Sequence, residues 1–311
     1  MGSVGKFGNS LDIDLGKITN LAAANVGKII GFDLVSGWST ASPLNTGRYT
    51  QAGSGNSTDA LVFGGDAPTR SNTTEKWNGT SWSTSSHITV ATDRWAGCGT
   101  TAATIGTGGS TGAQTSNMQK FDGSTWTLAA YMTAPGKYWH SMCGTASAAI
   151  AFGGGTATSE LHTDKWNGST WGTVSTGNIK QGRIQMAGCG NTSAALCYGS
   201  SYYATDTYAG TEKWSGTAWS TTSNLNIGRH SCAGVGTTSS ALCIGGSTYN
   251  LSPSLYSVEK WTSSSWSTTI SISQNREDFT AHGAVSAVMI TGGSTQSGSG
   301  LLSSTEVFSY V

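Results

Sequence analysis

Apolar and β-branched runs of four to six residues alternate along the chain with clusters of Gly, Ser, Thr and Asn, and no stretch holds a helical period. One unit of the pattern starts at Arg229: R-H-S-C-A-G-V-G, a T-T-S turn, A-L-C-I-G-G, a variable loop, V-E-K-W, a short turn and S-W-S. It predicts four short strands. The turn between the third and fourth reads Asn78-Gly79, Asp122-Gly123, Asn167-Gly168 and Ser215-Gly216, residues that accept the positive φ of a tight hairpin. The unit at Trp261 has Thr262-Ser263-Ser264 there instead.

The unit recurs. The glycine that closes the second strand falls at Gly64, Gly108, Gly153, Gly199, Gly245 and Gly292, at spacings of 44, 45, 46, 46 and 47 residues, a period that belongs to solenoids and propellers. The sixth unit runs from Arg276 to Thr305-Glu306-Val307-Phe308 without a fourth strand. Ser36-Gly37-Trp38-Ser39-Thr40 supplies it, because Trp38 precedes Arg48 by the same interval that separates Trp219 from Arg229 and Trp266 from Arg276. The expectation is an all-β, six-bladed β-propeller over residues 32–311, four strands to a blade, its sixth blade closed by an N-terminal strand. Closure of this kind removes two exposed sheet edges.

Aromatic residues frame the hairpin turn in five units: Trp77 and Trp82, Phe121 and Trp126, Trp166 and Trp171, Trp214 and Trp219, Trp261 and Trp266. Their regularity assigns them to the scaffold, as rings that fill the wedges between blades. Composition adds exclusions. Charged residues are 10% of 311 and the net charge is zero, so no basic field draws nucleic acid. No apolar run is long enough to span a bilayer, and the first thirty residues lack a signal-peptide pattern, so neither membrane insertion nor secretion is expected. Cys98, Cys143 and Cys189 share one repeat position, and Cys197 and Cys243 another; these are read as small buried hydrophobes, with a Cys232–Cys243 bridge the one conceivable pairing. The five histidines show no ligand spacing, so no metal and no cofactor are expected.

The double glycine, then an acid (Glu75, Asp164, Glu212, Glu259, Glu306), an aromatic and a Trp, resembles the kelch-type β-propellers across residues 32–311. Lys between acid and aromatic, Trp in place of the usual Tyr, and a charge-poor Gly/Ser/Thr surface are more similar to the kelch-like repeat proteins of tailed, particularly marine, bacteriophages.

Strand alternation places the tight turns on one face and the variable loops on the other, where binding residues concentrate. Candidates on the loop face are Tyr202, Tyr203, Tyr208, Tyr249 and Tyr256, with Trp95, Tyr138, Trp139 and His140 near the starts of first strands. Exposed aromatics suit stacking on sugars or gripping a protein. Basic residues begin most first strands: Arg48, Lys137, Arg183, Arg229 and Arg276, with Arg94 offset by two because Thr92 holds the matching place. They form a candidate ring at the channel mouth able to hold an anion. The kelch resemblance implies the alternative, a recurring structural partner for a backbone carbonyl or for the repeat acid.

Residues 1–31 form a separate arm with a shorter repeat, V-G-K-F at Val4, L-G-K-I at Leu15 and V-G-K-I at Val26. Too short to bury a core, it resembles attachment segments of phage fibre proteins and is expected to pack against copies of itself or a larger assembly, on the face opposite the loops. The expected function is a non-enzymatic module of a virion, assembled in the host cytoplasm: a multi-copy or homo-oligomeric tail or head appendage that meets other virion proteins through its arm and a host-surface glycan or protein through its loops. The alternatives are an intracellular kelch adaptor for a protein ligand and a sialidase-like glycosidase, the latter suggested by Asp122-Gly123-Ser124-Thr125-Trp126. Five of the propeller acids occupy the repeat position. Glu277 and Asp278 are adjacent exceptions, and adjacent strand residues face opposite ways.

Overall fold

The computed structural model describes residues 37–133, 136–155, 161–202, 206–248, 254–296 and 299–309, and before residue 37 only Lys6–Phe7 and Ser10–Leu11. The chain divides into two units, Met1–Ser36 with Tyr310–Val311, and Gly37–Ser309. In the first, Lys6–Phe7 pairs antiparallel with Ser10–Leu11; the rest of the V-G-K-F, L-G-K-I and V-G-K-I repeat lies outside the described residues.

The second unit is a six-bladed β-propeller. Its blades span residues 52–85, 96–131, 141–173, 187–222 and 233–269, each a four-stranded antiparallel sheet in which consecutive blade strands are neighbours. The sixth takes Thr280–Ala284, Ala287–Thr291 and Thr305–Ser309 and completes itself with Gly37–Ala41. Trp38 pairs with Phe308 and Ala41 with Thr305, the closure expected from the displaced cassette. First strands pack side by side around the axis, and the sixth returns to the first.

Burial follows the radial order of the strands. Second strands such as Ala60–Phe63 and Ala195–Tyr198 are buried at every position, third strands such as Thr74–Trp77 at all but the Lys, and outer strands such as Trp82–Ser85 keep only the Trp inside. The Lys between acid and aromatic is thus the solvated position of its strand.

Both framing tryptophans are bonded into the scaffold. In four blades the first donates its indole N–H to a carbonyl of its own blade's first turn: Trp77 to Ser57, Trp166 to Ala146, Trp214 to Thr192 and Trp261 to Thr238, at 2.9 to 3.0 Å. The second crosses to the preceding blade, Trp82 to Thr305, Trp219 to Thr163 and Trp266 to Thr211, at 2.9 to 3.1 Å. A buried indole with its N–H satisfied contributes area without a desolvation cost. All six cysteines are free and buried, Cys232 and Cys243 included.

The double glycine joins neighbouring blades. The residue after the first glycine donates its amide to the carbonyl of the residue that begins the next blade: Gly65 to Thr92, Gly109 to Lys137, Gly154 to Arg183, Ser200 to Arg229, Gly246 to Arg276 and Gly293 back to Arg48, at 2.7 to 3.0 Å. A side chain on Gly64 would strike the Thr92 carbonyl and the Trp95 indole, and the residue has φ +65, so only glycine serves there.

Candidate functional site

Five of the six basic residues expected at the channel mouth lie elsewhere. Arg48, Lys137, Arg183, Arg229 and Arg276 are at most 1% exposed and form ion pairs inside their own blades with Glu75, Asp164, Glu212, Glu259 and Glu306. Arg48 Nη2 meets Glu75 Oε1 at 2.7 Å while its Nη1 donates to the Gly64 and Thr73 carbonyls, and Arg229 and Arg276 repeat that arrangement. Burial pulls the Arg48 and Arg276 guanidinium groups below their ordinary pKa, partly offset by the carboxylate partner. The acid also anchors the loop from the preceding blade, Glu75 accepting the amide of Asn45 at 2.7 Å and Glu306 that of Ser273 at 2.7 Å. A buried pair whose carboxylate also accepts loop amides is a scaffold element, the partnership with the repeat acid that the kelch resemblance implied.

Blade two shows why the residues come in pairs. Thr92 replaces the basic residue and Gln119 the acid. Gln119 still accepts the amides of Thr89 and Val90, at 2.8 and 3.2 Å, so the loop anchor survives while both charges are absent. Blade three shortens both partners at once, to Lys137 and Asp164, 3.1 Å apart.

The mouth itself is formed two residues further along each blade, by Thr50, Arg94, Trp139, Gln185, Ser231 and Asp278, around a cavity of about 110 Å³. Each donates its amide to the carbonyl of its counterpart in the preceding blade: Arg94 to Thr50, Trp139 to Arg94, Gln185 to Trp139, Ser231 to Gln185, Asp278 to Ser231 and Thr50 to Asp278, at 2.8 to 3.0 Å. The six bonds make a closed circuit about the axis. To make it, every member adopts a left-handed backbone, φ +52 to +56, although none is glycine. That conformation strains any residue with a Cβ, β-branched Thr50 most of all.

The next residue in each blade also borders the cavity, while its side chain packs into the wedge against the preceding blade's first glycine. Trp95 packs on Gly64, His140 on Gly108, Met186 on Gly153 and Phe279 on Gly245, while Gln51 at Gly292 donates to the Thr291 carbonyl at 3.0 Å. Trp95 and His140, expected on the binding face, are therefore 6% and 5% exposed, with the Trp95 ring edge-on to Phe63. Burial holds the His140 imidazole neutral, its pKa brought down to about 3.

Five of the six mouth side chains bear on a neighbour in the ring. The Arg94 guanidinium lies 5.1 Å from the Trp139 ring centre and pairs at 2.8 Å with Asp93, which Arg70 holds from the other side at 2.8 Å. Burial pushes the Asp278 carboxyl up to about 7, with Glu277 raising it further and the Ser231 hydroxyl and Arg94 drawing it back. Asp66, beside Asp93, is raised as well, first by burial and then by that neighbouring carboxylate. Gln185 Nε2 donates to the Ser231 hydroxyl at 3.0 Å, and His230 lies 3.2 Å from the same oxygen.

The other candidates are scattered. Tyr138 is half-buried with its ring edge-on to Trp139. Tyr208 is half-buried over the guanidinium of Arg183, 4.9 Å away, and so packs down its own loop. Tyr256 is 48% exposed. Tyr202 takes part in a two-residue ribbon through its backbone, pairing with Asp206; Tyr203 and Tyr249 lie outside the described residues. Of the nine aromatic and histidine candidates and the six basic ones, Arg94, Trp95, Trp139 and His140 line the cavity, Arg94 and Trp139 at the mouth and Trp95 and His140 as buried wedge residues. Thr50, Gln185 and Ser231 carried no sequence signal of their own, and Asp278 stood out only beside Glu277 as an exception to the repeat acids; together they were visible only as the column two places beyond the recurring basic residue. Among the described residues no cluster of His, Cys, Asp and Glu has the makings of a metal site. The fold and this site define the class, a six-bladed β-propeller with an axial mouth. No known protein family and no curated protein matches the chain.

Proposed function

We propose that this propeller is a non-enzymatic binding module of a virus particle, a tail or head appendage of a bacteriophage. On this reading residues 1–31 attach it to other virion proteins, it is present in many copies, and its loop face meets a host-surface glycan or protein. The observation that carries the recognition role is the mouth circuit: six different side chains stand at positions where the fold needs only a left-handed backbone, which glycine would supply without strain. Selection for stability alone would favour glycine there. Ligand recognition accounts for retaining side chains at that cost.

The non-enzymatic reading draws on the same geometry. The recurring carboxylates are tied to arginine or lysine inside the blades. The likeness of the cassette to phage repeat proteins and of the arm to fibre attachment segments supports the particle assignment. The test is co-purification with particles. Full-length protein should sediment with virions, and protein lacking residues 1–31 should fold but stay in the supernatant. Sedimentation unaffected by the deletion would overturn the attachment role, and a full-length chain that never associates with particles would overturn the assignment in favour of a free adaptor.

A further inference from the structure

The mouth has opposite charges, an aromatic ring and several neutral polar groups in a small space. Its charges largely cancel: Arg94 is held at 2.8 Å by Asp93, Asp93 is shared with Arg70, and Asp278 acts on Arg94 from the sixth blade. A simple ion gains little from a site already neutralised by its own residues. A neutral molecule with hydroxyl groups gains more. The indole N–H of Trp139 and the Nε of Arg94 are buried donors with no hydrogen-bond partner in the protein. Guanidinium and carboxyl groups are planar and bidentate, and two adjacent hydroxyls, each both donor and acceptor, match them. The Trp139 ring adds the apolar surface on which the C–H face of a sugar packs.

Resting on the reading of the loop face as a recognition surface, the geometry points to the mouth as a binding site for one terminal, uncharged sugar unit, gripped through its hydroxyls by Arg94 and Asp278 and packed on Trp139. The cavity, about 110 Å³, is smaller than a whole pyranose, so it takes the hydroxyl-bearing edge of an end unit and not the interior of a chain. Residues from blades two, three and six contribute, so the site exists only in the closed ring.

Saturation-transfer NMR on the full chain tests this with methyl glucopyranoside, galactopyranoside and mannopyranoside, and with the matching uronates as charged controls. Transfer is expected from at least one neutral glycoside, with affinity reduced about tenfold or more by Trp139→Ala and by Asp278→Asn and unchanged by Leu128→Ala on the outer strand of blade two. Thermal melting of each variant checks folding, and Gln185→Ala, at a half-buried mouth position, substitutes for a variant that fails it. No transfer from any neutral glycoside, transfer from uronates alone, or undiminished transfer to Trp139→Ala would each overturn the proposal. Labelled protein on host cells separates the two readings. Adhesion equal for wild type and Trp139→Ala would leave the loop-face role standing and remove the sugar site, whereas glycoside binding without adhesion would do the reverse.

Discussion

The amide of Thr50 donates to the carbonyl of Asp278 at 2.8 Å and joins the first blade to the last at the axis. Five equivalent bonds complete the circuit, and a second circuit runs through the residues after the first glycines. Neither circuit survives unless the ring closes, and closure rests on the pairing of Gly37–Ala41 with Thr305–Ser309.

Removing that strand should therefore act on the whole ring. Deletion of residues 1–41 strips the outer edge from the sixth blade and exposes Phe308, which packs on Trp38 with ring centres 5.4 Å apart. Size-exclusion chromatography should show aggregation and calorimetry the loss of a cooperative transition, while deletion of residues 1–31 leaves both intact. A monomeric, cooperatively melting 42–311 fragment would contradict closure as described.

Blade two supplies a natural template for the buried ion pairs. Arg229→Ala strands Glu259, 1% exposed, without its cation and should cost about 3–5 kcal/mol. The double change Arg229→Thr with Glu259→Gln copies Thr92 and Gln119, retains acceptors for the loop amides, and should cost less than Arg229→Ala alone. Denaturant unfolding of the two variants measures the difference, and a double variant worse than the single would reject the coupling.

Two positions isolate backbone strain from recognition. Ser263 holds φ +72 in the hairpin turn where other blades carry glycine, and Thr50 holds φ +53 at the mouth. Glycine at either should raise stability by about 1 kcal/mol, less what is lost with the hydroxyl bonds of Ser263 to the Ser239 carbonyl and of Thr50 to the Tyr49 carbonyl. Calorimetric midpoints that fall in both variants would show that the left-handed conformation is not a strain here.

Stability should vary with pH through groups of opposite sign. His140, His230 and His282 have folded pKa values brought down by burial to about 3, 4 and 4, so each contributes stability above the unfolded value near 6.5 that is lost as pH falls below it. Asp278 is raised to about 7, so it binds a proton in the folded state that the unfolded chain has released, and its contribution is lost as pH rises from about 4 to 7. The melting-temperature difference between wild type and Asp278→Asn should accordingly move in favour of wild type as pH drops from 8 to 5. A constant difference across that range would place Asp278 in water.

Much of the fold was legible because a propeller writes the same backbone need six times. Glycine at the turn of residues 78–79, tryptophan on both sides of it and the displaced Trp38 are residue types the geometry demands, so they recur and can be counted. The mouth was not legible for the converse reason. Thr50, Arg94, Trp139, Gln185, Ser231 and Asp278 share a conformation but no side chain, and a left-handed φ leaves no trace in sequence when glycine is absent. Arg94 read as a displaced member of the basic ring, when it is the one cation of a different column. Trp95 and His140 read as surface residues because the glycine each packs against lies in the neighbouring blade, more than thirty residues back in the chain.

Trp139→Gly tests the central claim most directly, because it removes the largest mouth side chain while relieving its left-handed backbone, φ +56. Melting temperature and saturation transfer from the neutral methyl glycosides are read on the same sample. A midpoint within about 2 °C of wild type together with lost transfer is expected, since relief of the left-handed backbone offsets the packing lost on Arg94 and Tyr138. A collapsed midpoint would make Trp139 a scaffold residue like the other tryptophans, and transfer equal to wild type would leave the mouth without a ligand.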